Sequence, residues 1–137
     1  MGQLLRYIPL LAFVVIAYNV VAAISVTLLE DTLLSFGLLS GNVFIFQVKD
    51  AMIFAALLLL YGELSKATRT TNVSIADHTL SLGLALICLV ELIVVPFAGT
   101  STFFLLTVMA LIDVVAGFTI TITGAKRDLN AISSGHG

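Results

Sequence analysis

Apolar residues run almost unbroken through four stretches of the chain, 7–29, 44–64, 79–98 and 102–123, with short polar segments between them. Each holds about the 20 residues a helix needs to cross a ~30 Å hydrocarbon core. The pattern predicts an all-α fold, a four-helix transmembrane bundle in one domain covering 1–137. Between the first two spans, Glu30 and Asp31 precede Leu33, Leu34, Phe36, Leu38 and Leu39, a run too short to span. It predicts a brief helix lying in the interface, ended by Ser40-Gly41, with Asn42 capping the second span. Asp77 is the expected N-cap of the third span, and Pro96 is expected to bend or end its outer end. The tail 128–137 is polar and glycine-ended, so fraying is expected there.

Basic residues orient the spans. Arg6 precedes the first, Lys66 and Arg69 lie between the second and third, and Lys126 and Arg127 follow the fourth. The two opposite loops hold no Lys or Arg. The positive-inside rule then places both termini in the cytoplasm and argues against dual topology. Arg6 and Val21-Ala22-Ala23 faintly suggest a signal peptide, but the apolar run is longer than the 7–15 residues of a signal core, so a retained helix is expected. Asn72-Val73-Ser74 matches a glycosylation sequon only by chance, since a cytoplasmic loop never meets that machinery.

Composition agrees with the pattern. Hydrophobic residues make up 60% of the chain and charged ones 10%, against about 25% charged in a soluble domain. The mean hydropathy is +1.17. A net charge of −2 gives no reason to expect a nucleic-acid partner. The lone cysteine, Cys88, excludes a disulfide framework within one chain. Tyr7 and Tyr61 are the tyrosines placed to anchor at the interfaces.

Against this background the costly residues are polar ones inside the spans: Asn19, Gln47, Lys49, Asp50, Glu91 and Asp113. From a rise of about 1.5 Å per residue, Asn19 and Asp113 fall near the midplane and Lys49, Asp50 and Glu91 in the outer half. Helical spacing groups Ala110, Asp113, Gly117, Thr121 and Gly124 on one small or polar stripe of the fourth span. Similar stripes run through Ala12, Asn19, Ala23 and Thr27, through Gln47, Asp50, Ala51, Phe54 and Tyr61, and through Ser81, Ala85 and Cys88 with Glu91 at the edge. All four faces are expected to meet in a polar centre. Lys49 can snorkel to the outer interface or pair with Glu91 or Asp113. Three acids face one lysine, so at least one is expected to be protonated at neutral pH, Asp113 first.

Two functions fit such a cluster. Intramembrane carboxylates relay protons or cations in transporters and channels. They also fix helix packing or meet a basic residue on a partner. A four-helix chain has little room for a substrate path, so the preferred expectation is a non-enzymatic accessory or assembly subunit, docked through its helix faces to itself as a homo-oligomer or to a larger membrane complex. The alternative is a small proton- or cation-coupled transporter or channel. No phosphate loop or nucleophile elbow is present, so no catalytic residues and no enzyme are expected. His78 has no His or Cys companion at ligand spacing and is expected to be solvated, and no metal or other cofactor is expected. Beyond that protein partner the chain meets the lipid bilayer, as a compact multi-pass protein of a bacterial inner membrane. The plan is similar to that of small multidrug-resistance transporters, but Asn19 stands in the first span where those carry an essential glutamate. The stretch 99–104 is similar to the Thr- and Phe-rich break of fluoride channels, without their glycine-rich first helix. No functional residue carries over from either.

Overall fold

Why four apolar stretches become these particular elements is a matter of where the chain is interrupted. The computed structural model describes residues 8–69 and 75–134. Among them are four α-helices, α1 (Leu11–Ile24), α2 (Val48–Arg69), α3 (Ile75–Val94) and α4 (Ser101–Ser134), so the protein is mostly helical. Helices α2 and α4 are long and apolar enough to cross a membrane, whereas Leu11–Ile24 and His78–Val94 are shorter apolar helices. Arg6, Tyr7, the Asn72-Val73-Ser74 sequon and His136 lie outside the described residues, as does the Asp77 side chain.

The first expected span is broken. Ser25 is extended (φ −165°, ψ 129°) and a 3-10 turn, Val26–Glu30, follows it. The Ser25 and Thr27 hydroxyls bond each other at 2.7 Å across this break. In the third expected span the helix ends at Val94. Val95 is extended, as a residue before proline must be, and Pro96 opens a 3-10 turn, Pro96–Ala98. Thr100 then caps α4, its Oγ1 accepting the Phe103 N–H at 3.1 Å.

The expected interfacial helix is instead a β-hairpin. Strands β1 (Thr32–Gly37) and β2 (Val43–Gln47) pair antiparallel, with Phe36 opposite Phe44 and Ser35 opposite Ile45. The residues expected to start the second span, Val43-Phe44-Ile45-Phe46, are β-branched or aromatic and favour a pleated surface. Asn42 accordingly caps no helix. Its carbonyl accepts the Leu38 N–H at 2.7 Å, and Gly41, with φ +85°, turns the chain in the left-handed region. Gly41→Val is expected to weaken this turn by ~1–2 kcal/mol, the cost of that region for an L side chain. Hydrogen exchange at the Leu38 amide should then quicken about ten-fold, and unchanged exchange would show that the turn does not hold the hairpin.

The tail corrects a second expectation, because α4 continues unbroken to Ser134 and residues 122–134 stand clear of the bundle. Its residues 125–132 are mostly good helix formers, and the Ser133 and Ser134 hydroxyls donate to the Asn130 and Ala131 carbonyls inside the last turn.

Helix α4 packs against both α2 and α3, and α1 leans on α2 and α4. The centre is apolar, with Leu11, Tyr18, Cys88, Phe103 and Leu106 fully buried. Between α3 and α4 the small residues Ser81, Ala85, Ala110 and Gly117 are buried, which lets those two helices approach closely. The other two expected stripes are corrected. Helix α1 buries Leu11, Val14, Val15, Tyr18 and Ala22, while Ala23 and Thr27 are exposed; α2 buries Ala56 and Leu60, while Phe54 and Tyr61 are exposed. Both helices are apolar around most of their circumference, so the few polar residues misdirected the choice of face.

Candidate functional site

The six polar residues do not meet in one centre. They fall into local arrangements at the end of the bundle that carries the hairpin, and Asp113 lies apart from the others.

At the hairpin end, Gln47 is the residue preceding α2, and its N–H donates to Asp50 Oδ2 at 2.9 Å. Asp50 is the third helical residue, so this is the reciprocal half of a capping box, with an acid at the positive end of the helix. The Gln47 amide also donates to the Glu30 carbonyl at 2.7 Å, tying α2 to the end of the 3-10 turn. Lys49 lines a groove between the starts of α2 and α4, beside Ile53, Ser101 and Leu105. It forms no ion pair among the described residues, so the expected pairing with Glu91 or Asp113 is absent there. Glu91 is bound instead by Asn19, and Asp113 by Ser81.

Asn19 and Glu91 join α1 to α3. The Asn19 Nδ2 group donates to Glu91 Oε2 at 3.0 Å and to the Val15 carbonyl at 3.1 Å, which uses both of its protons. The pair borders an open groove with Ile16, Ile87 and Phe97. Beside it, Tyr18 is fully buried with its ring 4.9 Å from that of Phe103. The Tyr18 hydroxyl lies 3.0 Å from the Phe97 carbonyl and 2.5 Å from Thr100 Oγ1. One proton arrangement satisfies the set: Tyr18 donates to Phe97, Thr100 donates to Tyr18, and the Phe103 N–H donates to Thr100.

The opposite end holds a second cluster around Asp113. The Ser81 hydroxyl hydrogen-bonds the Asp113 carboxyl, and Glu63, His78 and Lys66 lie within electrostatic reach. Glu63 Oε2 accepts the Leu10 N–H at 3.1 Å, so a carboxylate of α2 satisfies a donor at the start of α1. Lys66 Nζ lies 3.6 Å from the other Glu63 oxygen. His78, expected to be solvated, is only 7% exposed. Its Nε2 lies 2.7 Å from Thr121 Oγ1, and the Thr121 hydroxyl donates its one proton to the Gly117 carbonyl. Nε2 is therefore the donor, which fixes the ring tautomer. The ring also leans on Phe118, with centroids 5.4 Å apart.

About 15 Å separates the two clusters, because Ser81 and Glu91 stand ten residues apart on α3. Ala85, Cys88, Leu106, Met109, Ala110 and Val14 fill that interval, all buried. Thr107 is buried there too, but its hydroxyl donates to the Phe103 carbonyl of its own helix. The expected single polar layer is thus two layers with a largely apolar one between them.

Sequence reasoning passed over Tyr18, Glu63, Lys66 and His78 as members of these clusters. For His78 a signal existed: His78, Ser81, Ala85 and Cys88 are spaced three, four and three residues apart, one helical stripe. For Glu63 and Lys66 the three-residue spacing showed a pair but not that it would meet the start of α1. Nothing local marked Tyr18, whose partners lie about 80 residues away.

The fold and site define a mostly helical four-helix protein with two separated buried polar clusters. No protein-family model matches the chain, and neither a curated protein nor a solved structure matches it.

Proposed function

We propose that this chain is a non-enzymatic component of a bacterial inner membrane that crosses the bilayer four times, with both ends cytoplasmic, and acts by docking its helix faces onto itself or a larger membrane complex. Membrane residence is supported by where the apolar surface lies. The most apolar window of α2 is only 17% buried within the molecule, whereas the core helix of a soluble protein would be covered. The shorter helices gain length from their 3-10 turns. Leu11–Ile24 with Val26–Glu30, and His78–Val94 with Pro96–Ala98, each hold enough chain for ~30 Å.

The observation that carries the docking reading is the apolar layer between the two polar clusters. A transporter needs polar groups that hand a proton or ion from one side to the other. Here Asp50 caps a helix, Asn19 clamps Glu91, and Ser81 binds Asp113, so these groups tie the chain to itself. What is left unpartnered is surface. The hairpin exposes Leu34, Phe36 and Phe44 on one face, and a lone two-stranded hairpin is marginal in water, so a partner on the outer side suits it.

The test is reconstitution. The pure protein in liposomes is expected to leave proton and cation flux at background, in wild type and in Asp113→Asn alike, while the protein extracted gently from its own membranes elutes as a stable complex. Flux in wild type that Asp113→Asn abolishes would make it a coupled transporter instead.

A further inference from the structure

The groove between the starts of α2 and α4 has a polar end and an apolar length. Lys49, Asp50, Ser101 and Thr102 line it at the helix starts, and Ile53, Leu57 and Leu105 line it beyond them. Lys49 and Leu57 are eight residues apart, ~12 Å along the helix. On the membrane reading both helices start at the outer face. The groove then descends from the outer interface through most of one leaflet, half of a ~30 Å core. Its polar residues stand at headgroup level and its apolar ones among the lipid tails.

The polar end carries groups that the fold leaves unused. Lys49 is partly buried and forms no ion pair among the described residues, its neighbour Asp50 included. Thr102 is only 6% exposed, yet its hydroxyl has no hydrogen-bond partner among the described residues. The threonines further along α4 differ. Thr107, Thr119, Thr121 and Thr123 each donate to the carbonyl four residues back. Thr102 lies in the first turn and has no helical carbonyl behind it. A buried hydroxyl without a partner costs ~1–3 kcal/mol. Of the first N–H groups of α4, those of Phe103 and Phe104 are taken by Thr100, and those of Ser101 and Thr102 are left over. The opposing charge, Asp50, is held by the Gln47 N–H at the positive end of α2, which offsets it. The balance at this end is positive and rich in donors.

We infer that the groove is a phospholipid site: the phosphate of an outer-leaflet lipid accepts from Lys49, the Thr102 hydroxyl and the start of α4, and one acyl chain lies over Ile53, Leu57 and Leu105. The unpaired lysine and the unused donors call for an anion. The order from polar to apolar along the groove calls for a chain attached to it. A free phosphate would leave the apolar length unfilled. The inference rests on the membrane reading, because the bilayer supplies such a molecule at that depth and in that orientation. The lipid then fastens α2 to α4 beside the hairpin, where the protein itself supplies few contacts across the groove.

Titration of the delipidated protein with phosphatidylglycerol in detergent, read by native mass spectrometry, tests it. Lys49→Ala is expected to bind about ten-fold more weakly, the loss of one hydrogen bond to a charged group, and Lys49→Arg to restore binding. Thr102→Val is expected to weaken binding several-fold while the lipid-free protein melts no lower than wild type, since no protein hydrogen bond is lost. Lys126→Ala, at the far end of α4, should bind as wild type does. Diacylglycerol, which has the chains without the phosphate, should bind at least ten-fold more weakly, and inorganic phosphate should not displace the lipid. Equal binding of diacylglycerol, displacement by inorganic phosphate, equal loss in Lys126→Ala, binding that survives Lys49→Ala or Thr102→Val, or a partner protein cross-linked through Lys49→Cys would each overturn the site. A membrane-embedded protein that binds no phospholipid here would sink this inference alone. A protein recovered in the soluble fraction would sink the membrane reading, and Asp113-dependent flux would sink the docking reading and leave the lipid site standing.

Discussion

Gly117→Ala is expected to lower the stability of the protein, although alanine is the better helix former by ~1 kcal/mol. A Cβ on Gly117 would sit 2.6 and 2.7 Å from Nδ1 and Cε1 of His78. The ring cannot swing aside without loss, because Thr121 holds its Nε2 at 2.7 Å and Phe118 lies against its face. Overpacking of this kind costs ~1–3 kcal/mol. The net expectation is a loss of up to ~2 kcal/mol, the overpacking cost less the propensity gain. Gly83→Ala supplies the contrast. It makes the same change in α3, where an added Cβ meets nothing within 4 Å, and it should leave stability unchanged or raise it. The buried thiol of Cys88 offers the measurement, because a thiol-reactive fluorophore reports the temperature at which it becomes accessible. His78→Ala should cost less in the Gly117→Ala background than in wild type, because the added methyl takes up part of the space the ring leaves. A Gly117→Ala protein as stable as wild type would mean that α3 and α4 do not approach as closely as described.

Removing Tyr18 should have the larger effect. Its ring is wholly buried against Phe103, and truncating a large buried aromatic to alanine costs ~3–5 kcal/mol through lost burial and the cavity left behind. Tyr18→Ala is therefore expected to unfold the protein under conditions where wild type is intact, by the same thiol-exposure assay. Tyr18→Phe separates the ring from its hydroxyl. It leaves the packing but deprives the Phe97 carbonyl and Thr100 of a partner, for a loss of ~1 kcal/mol on the scale of single hydrogen bonds. If Tyr18→Phe matched Tyr18→Ala, the hydrogen bonds rather than the packing would be what fastens α1 to the turn before α4.

These two sites show why some of the architecture was legible and some was not. The apolar stretches were plain, and all four contain a helix. Their ends were less so. Pro96 carried a local signal for the end of α3 through the restriction it imposes on Val95, and the structure stops the helix there. Between Leu33 and Phe46 the run of leucines suggested an amphipathic helix, but Val43-Phe44-Ile45-Phe46 together with a left-handed Gly41 favour a hairpin. That alternative was written in residue types rather than in spacing. The tail misled in the opposite way: small and polar residues suggested fraying, yet α4 runs on through it as far as Ser134.

The grouping of the polar residues was the least legible feature. Asp50 is a helix cap because Gln47 precedes it by three residues, a relation open to sequence reading. Glu63 is a cap for α1 only because two helices cross where they do, 53 residues apart in the chain.

What the residues determined unaided is the amount of apolar surface, its division into four helical stretches and the asymmetry of Lys and Arg, because burial and charge placement are sums over local composition. What only the tertiary structure decided is which face of each helix turns inward and which buried polar atoms meet. On helices that are apolar nearly all round, many rotations bury similar area. The choice then falls to a few close approaches, Gly117 under His78, Asn19 onto Glu91 and Tyr18 onto the turn at Phe97, that exist only once distant helices are side by side.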